Sequence, residues 1–312
     1  MKPSVLVAGE ALIDFLPESE SSLAAAAAFS RNPGGAPANV AVRLAQLDRT
    51  PWFWTRVGAD PFGDFLVDAL TERGLPDRFV ERDAEAKTTL AFVSDDPEAL
   101  PRFTFYRHET ADTRFQPGRV PDDVLASVDW VVLGSVLLAC SPSHEAMHDL
   151  VERAADQDCT VVFDLNARQE LWSEADFERQ VRRILPSIDV MKTSLEELPH
   201  AGVTGDGPMD LAGELHELGP HTVFLTHGER GSAASATETA PWAAGGATHD
   251  GYAVDAVDTT GAGDAFTAGI VDALADGTTD LDEVLARADA VAAASTMRAG
   301  GMAELPDLDA VL

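Results

Sequence analysis

The segment Val257-Asp258-Thr259-Thr260-Gly261-Ala262-Gly263-Asp264-Ala265-Phe266 says more about the fold than any other stretch of this chain. It leads into a helical pattern of small and apolar residues, so two glycines stand where a helix begins. Unpaired N–H groups and the positive end of the helix dipole bind phosphate or a developing negative charge there. Gly261 and Gly263 let a phosphate approach the backbone closely. Asp264, in the first turn, is suited to take a proton from an attacking hydroxyl.

Around this segment, short apolar runs alternate with helical patterns. Strands are predicted at Ser4–Leu6, Trp52–Val57, Trp130–Leu133, Thr160–Asp164, Asp189–Met191 and Thr222–Leu225. Helices are predicted at Ala38–Leu47, Phe62–Glu72, Ser143–Ala155, Ala175–Ile184, Asp210–Leu218 and Ala262–Ala275. Nearly all-apolar strands separated by amphipathic helices are typical of a mostly parallel sheet with helices on both faces. The sequence therefore predicts an α/β fold of the Rossmann type.

Two regions interrupt this alternation. Glu10–Phe15 continues beyond the first strand, and Thr88–Ser94 with Arg102–His108 alternates between apolar and polar residues. Such alternation is typical of strands with one face in solvent. We therefore predict a small β-sheet, formed from about residues 10–33 and 86–116, that is inserted into the α/β domain and acts as a lid over a cleft.

The composition restricts the possible partners. The chain has 312 residues and a formal net charge of −31, although 45% of its residues are hydrophobic. That hydrophobic content argues against disorder, and the negative field disfavours nucleic acid as a partner. A small anionic substrate can still enter a locally positive pocket. The only lysines are Lys2, Lys87 and Lys192. An acidic, lysine-poor surface around an ordinary core predicts a halophilic protein, because high salt screens self-repulsion.

The sequence predicts a cytoplasmic protein without a membrane segment. Two cysteines, Cys140 and Cys159, are too few for a disulfide framework, and their apolar neighbours predict buried, inert thiols. No basic region followed by an apolar run opens the chain. The longest apolar stretch, from Val128 to Cys140, is too short to span a bilayer.

Several common catalytic motifs are absent from the sequence. There is no GxxxxGK[ST] loop, and Gly9-Glu10-Ala11 follows the first strand where a dinucleotide-binding protein would have GxGxxG. His144 and His148 are spaced to share a helix face, but no HExxH motif is present. No GxSxG elbow occurs either. These absences argue against a P-loop enzyme, a nicotinamide dehydrogenase, a zinc protease and an esterase.

The segment Asp258–Asp264 (DTTGAGD), together with Pro33–Ala41 (PGGAPANVA), resembles the two hallmark motifs of the PfkB, or ribokinase-like, carbohydrate kinases. The resemblance covers essentially the whole chain. It is strongest to fructokinases, through further strings at Gly9–Phe15, Val57–Gly63, Phe105–Arg107, Ala111–Asp112, Asp164–Arg168 and Leu171–Trp172. It implies a single ribokinase-like α/β domain over residues 1–312 that transfers the γ-phosphoryl group of ATP to a sugar hydroxyl.

The resemblance also implies a role for each residue on a family motif. Asp264 falls on the catalytic base, and the anion hole falls on Gly261, Ala262 and Gly263. The substrate-binding positions are Asp14, Gly34, Gly35, Asn39, Arg107 and Arg168. A carboxylate and an amide suit a polyol, because they accept from and donate to vicinal hydroxyl groups.

On the other side of the transferred group, the resemblance implies ATP and Mg²⁺. The nucleotide-binding positions are Lys192, Ser194, Thr226, Gly228, Gly231 and Asp289. Glu197 matches a glutamate that holds hydrated Mg²⁺ through water. A monovalent-cation loop, which would take K⁺, matches Asp258, Thr260 and Gly300. Ser194 and Asp289 depart from the family, since many members have asparagine there.

Fructose, converted into fructose 6-phosphate, is the acceptor that the resemblance favours. The first alternative is 2-keto-3-deoxygluconate, but those kinases usually have tyrosine where this chain has Leu90–Phe92 and Phe105. Ribokinases and nucleoside kinases fit the Gly9–Phe15 opening poorly. A non-catalytic sugar- or nucleotide-binding regulator is a further alternative, which the intact Asp264 disfavours. Lid sheets in this family often pair, so a homodimer through the lid is a further prediction.

Overall fold

The computed structural model describes residues 3–18, 23–94 and 102–311. Within them the strands are β1 Val5–Ala8, β2 Leu12–Pro17, β3 Phe29–Gly34, β4 Trp52–Gly58, β5 Val80–Asp83, β6 Leu90–Ser94, β7 Arg102–Tyr106, β8 Trp130–Gly134, β9 Thr160–Asp164, β10 Val190–Ser194, β11 Thr222–Thr226, β12 Ser232–Ala236 and β13 Gly245–His249. The helices are α1 Ala36–Gln46, α2 Pro61–Glu72, α3 Asp122–Leu125, α4 Ser143–Ala155, α5 Glu174–Ile184, α6 Pro208–His216, α7 Ala262–Ala275 and α8 Leu281–Thr296.

The larger sheet has nine strands in the order β13-β12-β11-β10-β9-β8-β1-β4-β5. From β11 to β5 all neighbours are parallel, and Leu6 of β1 lies between Val131 of β8 and Trp52 of β4. β12 and β13 add an antiparallel edge. Parallel neighbours need crossover connections, which helices supply here. The predicted α/β fold with a mostly parallel sheet is confirmed.

Helices cover both faces of this sheet, because successive strand residues point to opposite sides. In β1, Val5 and Val7 enter the core shared with α1, α2, α7 and α8, whereas Leu6 and Ala8 enter the core shared with α4, α5 and α6. Burying one valine or leucine contributes roughly 1.5–3 kcal/mol, so a strand that is apolar on both faces is stable only between two helical layers. No helix in the described residues is long and apolar enough to cross a membrane.

The smaller sheet has four strands in the order β3-β2-β6-β7. Phe15 of β2 joins it to the larger unit, since its ring stacks on Phe92 at 5.0 Å and meets Phe62 of α2 edge-on at 5.8 Å. Asp14, the preceding residue in β2, points to the opposite face of the sheet. The strands come from the segments predicted to form a lid, of which residues 19–22 and 95–101 lie outside the described residues.

The sequence patterns missed α8 and the antiparallel edge. The first half of α8 buries Leu281, Val284 and Leu285, but beyond Val291 its residues are alanine, serine and threonine, so the apolar pattern fades along the helix. It packs closely on α7, where a Cβ at Gly269 would lie 2.7 Å from the Cα of Ala288. β12 reads Ser-Ala-Ala-Ser-Ala and has no β-branched or aromatic residue. Small residues build β12 and the second half of α8, and they give little periodic pattern.

The carboxyl ends of the parallel strands meet at one edge of the sheet, which is where ligands bind in open α/β folds. β8 ends there at Gly134, β9 at Asp164, β10 at Ser194 and β11 at Thr226. The N-terminus of α7 lies against this edge, as a Cβ on Gly263 would come within 2.9 Å of Lys192 Nζ. The topology therefore brings the most informative sequence segment to the open edge of the sheet.

Candidate active site

The N-terminus of α7 presents unpaired backbone N–H groups. Gly261 caps the helix with φ 78°, a left-handed conformation that suits glycine. The Ala262 N–H donates to the Thr259 carbonyl at 3.1 Å. The N–H groups of Gly261 and Gly263 have no acceptor among the described residues. Of the three residues predicted to form the anion hole, these two therefore keep free donors.

Asp264 lies in the first turn of α7 and is 7% exposed. Its Oδ2 accepts a hydrogen bond from Asn39 Nδ2 at 2.7 Å. Burial raises the pKa of Asp264 to about 6, with a further contribution from Asp164, while Asn39, Lys192 and Arg168 oppose the rise. A carboxylate with a pKa near neutrality is well suited to act as a general base. The structure thus brings together Asn39 and Asp264, which lie on helices far apart in sequence.

Lys192 places its charge beside the same helix N-terminus. Its Nζ is 3.0 Å from Asp164 Oδ1, and Asp164 Oδ2 accepts from Thr267 Oγ1 at 2.7 Å. Although burial opposes it, Asp164, Glu197 and Asp264 hold the pKa of Lys192 above its usual value. Lys192 is therefore charged at the anion hole. The sequence analysis gave no role to Asp164 or Thr267; the position of Asp164 at the carboxyl end of a parallel strand was the available indication.

Asp14, Gly34 at the end of β3 and Gly35 before α1 form a tightly packed wall of the site. A Cβ at Gly34 would lie 2.0 Å from Asp14 Oδ2, so no larger residue fits there. Gly35 has φ 108°, and a Cβ on it would lie 2.4 Å from the Glu10 carbonyl oxygen. Burial raises the pKa of Asp14 to about 7; Arg168 lowers it and Asp264 raises it further.

Three buried polar atoms at this edge of the sheet lack partners among the described residues. They are Asp14 Oδ1, Asn39 Oδ1 and Asn166 Nδ2. Buried polar atoms in folded proteins are nearly always hydrogen-bonded, so orphaned ones near a candidate base indicate a polar ligand. Asn166 follows β9 by two residues, and the sequence analysis gave it no role.

The two predicted arginines take different positions. Arg168 lies over the ring of Phe103 at 5.1 Å and acts on the carboxyl groups of Asp14 and Asp264. Arg107 is buried, and its Nε donates to Asp112 Oδ2 at 2.6 Å. Arg168 therefore belongs to the cluster around Asp264, whereas Arg107 is held by Asp112.

A cleft of about 630 Å³ adjoins this cluster without including it. Phe103 and Arg107 line it from the small sheet, and Cys140 and Glu170 line it from the loops after β8 and β9. Asp14, Asn39 and Asp264 do not line it, so its size does not locate the chemistry. Cys140 is partly exposed here, and the prediction that this thiol is buried was wrong because the loop after β8 opens onto the cleft.

Glu10 was also missed by the sequence analysis. It is 2% exposed, and its Oε1 accepts from the Ala36 N–H at 3.3 Å at the start of α1. Its Oε2 has no partner among the described residues. Burial raises the pKa of Glu10 to about 7, although Arg107 and Arg168 lower it. Glu10 thus stands between the two arginines and the helix that carries Asn39.

On the nucleotide side, Glu197 has both carboxylate oxygens engaged. Oε1 accepts from the Ala167 N–H at 2.9 Å, and Oε2 accepts from Ser194 Oγ at 3.2 Å. Mg²⁺ keeps several waters in proteins, so a half-buried carboxylate with this arrangement fits contact through water. Ser194 lies within this hydrogen-bonded group at the end of β10.

The remaining nucleotide positions surround the antiparallel edge. Thr226 ends β11, and Gly228 and Gly231 bound the turn into β12. Gly231 has φ 81°, and a Cβ on it would lie 1.9 Å from the His249 carbonyl oxygen. Asp289 of α8 accepts from Ser232 Oγ at 2.5 Å and lies 3.0 Å from His249 Nδ1. Asp289 therefore ties α8 to both strands of the edge.

The predicted cation loop is assembled by one carboxylate. Asp258 Oδ1 accepts from the Thr260 N–H, and Oδ2 accepts from the Gly300 N–H, each at 2.8 Å. These hydrogen bonds hold the pKa of Asp258 below its usual value, although its burial opposes this. Gly261 approaches the same loop, since a Cβ on it would lie 3.0 Å from Gly301 Cα.

Comparison with known proteins agrees with this geometry. Residues 2–308 match the pfkB family carbohydrate kinases. A probable chloroplastic fructokinase, fructokinase-6 of Arabidopsis thaliana, is 34% identical over 319 residues, which cover 99% of this chain and 81% of that protein. A fructokinase from Vibrio cholerae with bound fructose, ADP and calcium superposes with a TM-score of 0.85 at 29% identity and covers 99% of both chains.

A sugar kinase from Pyrococcus horikoshii in complex with ATP superposes with a TM-score of 0.84 at 29% identity, covering 98% of this chain and 96% of that one. The similarity therefore spans the whole sequence, both sheets and the α7 segment from which the site was built. The chain belongs to the pfkB family of carbohydrate kinases, phosphotransferases with an alcohol group as acceptor.

Proposed function

We propose that this kinase transfers the γ-phosphoryl group of ATP to fructose and forms fructose 6-phosphate. The observation that carries the proposal is the buried Asp264 carboxylate, which is held by Asn39 beside the free N–H groups of α7. Similarity to fructokinases along the whole chain supports fructose as the acceptor. Asp264 takes the proton of the acceptor hydroxyl as its oxygen bonds to the γ-phosphorus, and the bond from that phosphorus to ADP breaks.

Charge on the transferring group is stabilised by donors that are already in place. The N–H groups of Gly261 and Gly263 and the Lys192 ammonium converge there, and Asp164 keeps Lys192 in position. Such preorganised donors act strongly in a buried site because they need no reorganisation during the reaction. Mg²⁺, held through water by Glu197, would neutralise charge on the phosphate oxygens of ATP.

The acceptor is proposed to lie against Asp14 and Asn39, next to Gly34 and Gly35. Asp14 Oδ1 and Asn39 Oδ1 have no partner among the described residues, so two hydroxyls of the sugar can donate to them. Gly34 leaves room for the Asp14 carboxylate, and Arg168 faces the proposed sugar site from the loop after β9. The small sheet acts as a lid, and the contact of Arg168 with Phe103 joins its last strand to the site. Arg107 is proposed to support the substrate side from Asp112.

ATP is proposed to extend from α7 towards the antiparallel edge. The strand and turn positions Thr226, Gly228 and Gly231 would line its path, and Asp289 would stand near the adenine. A monovalent cation such as K⁺ would bind at the loop of Asp258, Thr260 and Gly300, next to the anion hole.

Turnover with four acceptors tests this function. In high-salt buffer with Mg·ATP, fructose should be phosphorylated well above 2-keto-3-deoxygluconate, ribose and adenosine. Asp264→Asn should lower kcat by roughly 10²–10⁴-fold. Asp282→Asn, which changes an exposed carboxylate in the same way, is the matched control and should keep full activity. Preference for the keto-acid would contradict fructose as the substrate, and no turnover with any acceptor would favour a sugar-binding regulator.

A homodimer is proposed through the face of the small sheet opposite Asp14. Tyr106 is 62% exposed there and meets the ring of Phe92 at 5.4 Å, next to Phe15. Exposed aromatic rings on a small sheet favour association with a second copy. Sedimentation should show a dimer for the wild type and a monomer for Tyr106→Glu. A monomeric wild type would contradict the dimer without affecting the proposed chemistry.

A further inference from the structure

Arg43 is a buried cation that the proposed chemistry does not use. It follows Asn39 by one turn of α1 and is 1% exposed. Its Nη1 donates to the Ala303 carbonyl at 2.5 Å and to Gln46 Oε1 at 2.8 Å. Its Nε and Nη2 have no partner among the described residues. A buried charge without a close counter-ion is costly, so its presence calls for a reason beyond stability.

The carbonyl that Arg43 holds belongs to the loop of residues 300–303, which shapes the active site. Gln46 Nε2 also donates to Ala303, at 3.1 Å. Two residues earlier in this loop, a Cβ at Gly301 would lie 2.8 Å from Asn39 Nδ2. Asn39 is the residue that donates to Asp264. The hydrogen bond from Arg43 therefore holds the loop against the Asn39 amide, which orients Asp264, the proposed base.

The Arg43 charge also acts on Asp264 directly. Burial lowers the pKa of Arg43 to about 10, and Asp264 is the acidic group that opposes this. The charged side chains that act on Asp264 come from α1, β2, β9, the loop after β9, and β10; they are Arg43, Asp14, Asp164, Arg168 and Lys192. Lys192 and Arg168 lie on the proposed phosphate and sugar sides of Asp264, whereas Arg43 is buried in α1. Substrate binding therefore leaves the field from Arg43 unchanged.

We infer that Arg43 is a positioning residue for phosphoryl transfer, which favours the ionised form of Asp264 through its charge and holds the 300–303 loop against Asn39 through its hydrogen bond. The inference rests on the proposed role of Asp264 as the base. Since that base must be ionised, kcat falls as the pH drops through the pKa of Asp264. Removing the Arg43 charge destabilises the carboxylate, so the fall should begin at a higher pH.

The test is the pH dependence of kcat at saturating acceptor and ATP and at constant ionic strength. Saturation limits the contribution of Asp14, whose titration alters acceptor binding. Arg43→Gln should move the acid limb of the profile upward by about one pH unit. Arg43→Lys keeps the charge and should leave the limb close to its wild-type position.

Two further variants separate the charge from the loop contact. Arg43→Gln combined with Gln46→Arg keeps one amide and one guanidinium next to the Ala303 carbonyl but moves the charge along α1. The acid limb of the kcat profile should therefore move to higher pH, as in Arg43→Gln alone. This double variant also replaces Arg43→Gln if the latter does not fold. Arg73→Gln removes a hydrogen bond from Arg73 Nε to the Met302 carbonyl, 3.1 Å in the wild type, and should leave the limb in place.

An acid limb that stays in place in a folded variant without the Arg43 charge would overturn the inference. A limb that moves equally in Arg73→Gln would also overturn it, because loop contact alone would then explain the shift. Asp264→Asn tests the role of Asp264 as the base separately from the role of Arg43. If Asp264→Asn kept turnover, the proposed base would be wrong and the inference would fall with it; if it lost turnover, an unmoved limb would reject the role of Arg43 alone.

Discussion

Single ionisable groups at the edge of the sheet are held in states that cost the protein stability. Glu10 and Asp264 are buried and Asp14 is half-buried, and the loss of hydration raises the pKa of each. For a carboxyl group with a raised pKa, ionisation is less favourable in the folded chain than in the unfolded chain. Stability is therefore lost as the pH rises from the unfolded pKa through the folded one. Sites that retain such groups commonly exchange stability for function.

Glu10→Gln should stabilise the protein while lowering its activity. The pKa of Glu10 is raised to about 7, so the gain should be full above that pH, roughly 3 kcal/mol, and should vanish in acid. Activity should fall because Oε1 helps to hold the start of α1. Thermal melting at several pH values measures the first effect and steady-state kinetics the second. A melting difference that does not change with pH would contradict the buried titration of Glu10.

Lys192→Met should lower kcat by roughly 10²–10³-fold, the usual effect of removing one preorganised donor at the developing charge. The KM for the sugar should change little, because Lys192 lies beside Gly263 and away from Asp14. Lys87→Met is the matched control, since Lys87 is exposed. Lys192→Met also leaves Asp164 without its cation, so circular dichroism is used to measure the folded fraction of this variant. A kcat within threefold of the control would contradict the role of Lys192.

At the scale of elements, close helix contact decides where the proposed catalytic turn of α7 lies. α7 carries Asp264 at its N-terminus and packs on α8 through Gly269 and Ala288. Any side chain at Gly269 meets backbone atoms of α8, so α7 must move or the contact must open. The contact between two small residues, Gly269 and Ala288, thus sets the depth of the proposed active site.

Gly269→Val should destabilise the fold by about 1–3 kcal/mol through overpacking. It should also lower kcat, because a shift of α7 moves Asp264. Gly213→Ala is the control: it lies inside α6, and a Cβ there has no heavy atom within 4 Å. That control should gain up to about 1 kcal/mol from helix propensity. Urea unfolding curves give both values, and equal effects of the two substitutions would refute the packing argument.

At the scale of the whole molecule, a net charge of −31 makes the folded state repel itself. The Debye length falls from about 10 Å at 0.1 M salt to about 3 Å at 1 M, so added salt should relieve this repulsion. We expect the melting temperature to rise steadily into the molar range, to similar extents in KCl and NaCl. A rise that saturates at low KCl and is absent in NaCl would instead indicate cation binding at Asp258. An unchanged melting temperature would contradict adaptation to salt.

Most of the α/β fold and the central part of the site could be read from sequence, because the patterns that determine them are local. Apolar strands and amphipathic helices follow periods of a few residues, and the glycines and Asp264 of DTTGAGD stand together at a helix start. The elements that the patterns missed are α3, α8, β5, β12 and β13. β12 and the second half of α8 consist of small residues whose burial depends on neighbours distant in sequence.

The tertiary structure alone decided which charges meet. Asn39 reaches Asp264 across 225 residues, and Asp164 holds both Lys192 and Thr267. Arg43 lies behind the base because of how α1 packs against the 300–303 loop. Distances between the ends of strands and helices depend on strand order and packing, and electrostatic interactions depend on those distances. Residue identity therefore indicated the chemistry, and packing determined the protonation of the groups that perform it.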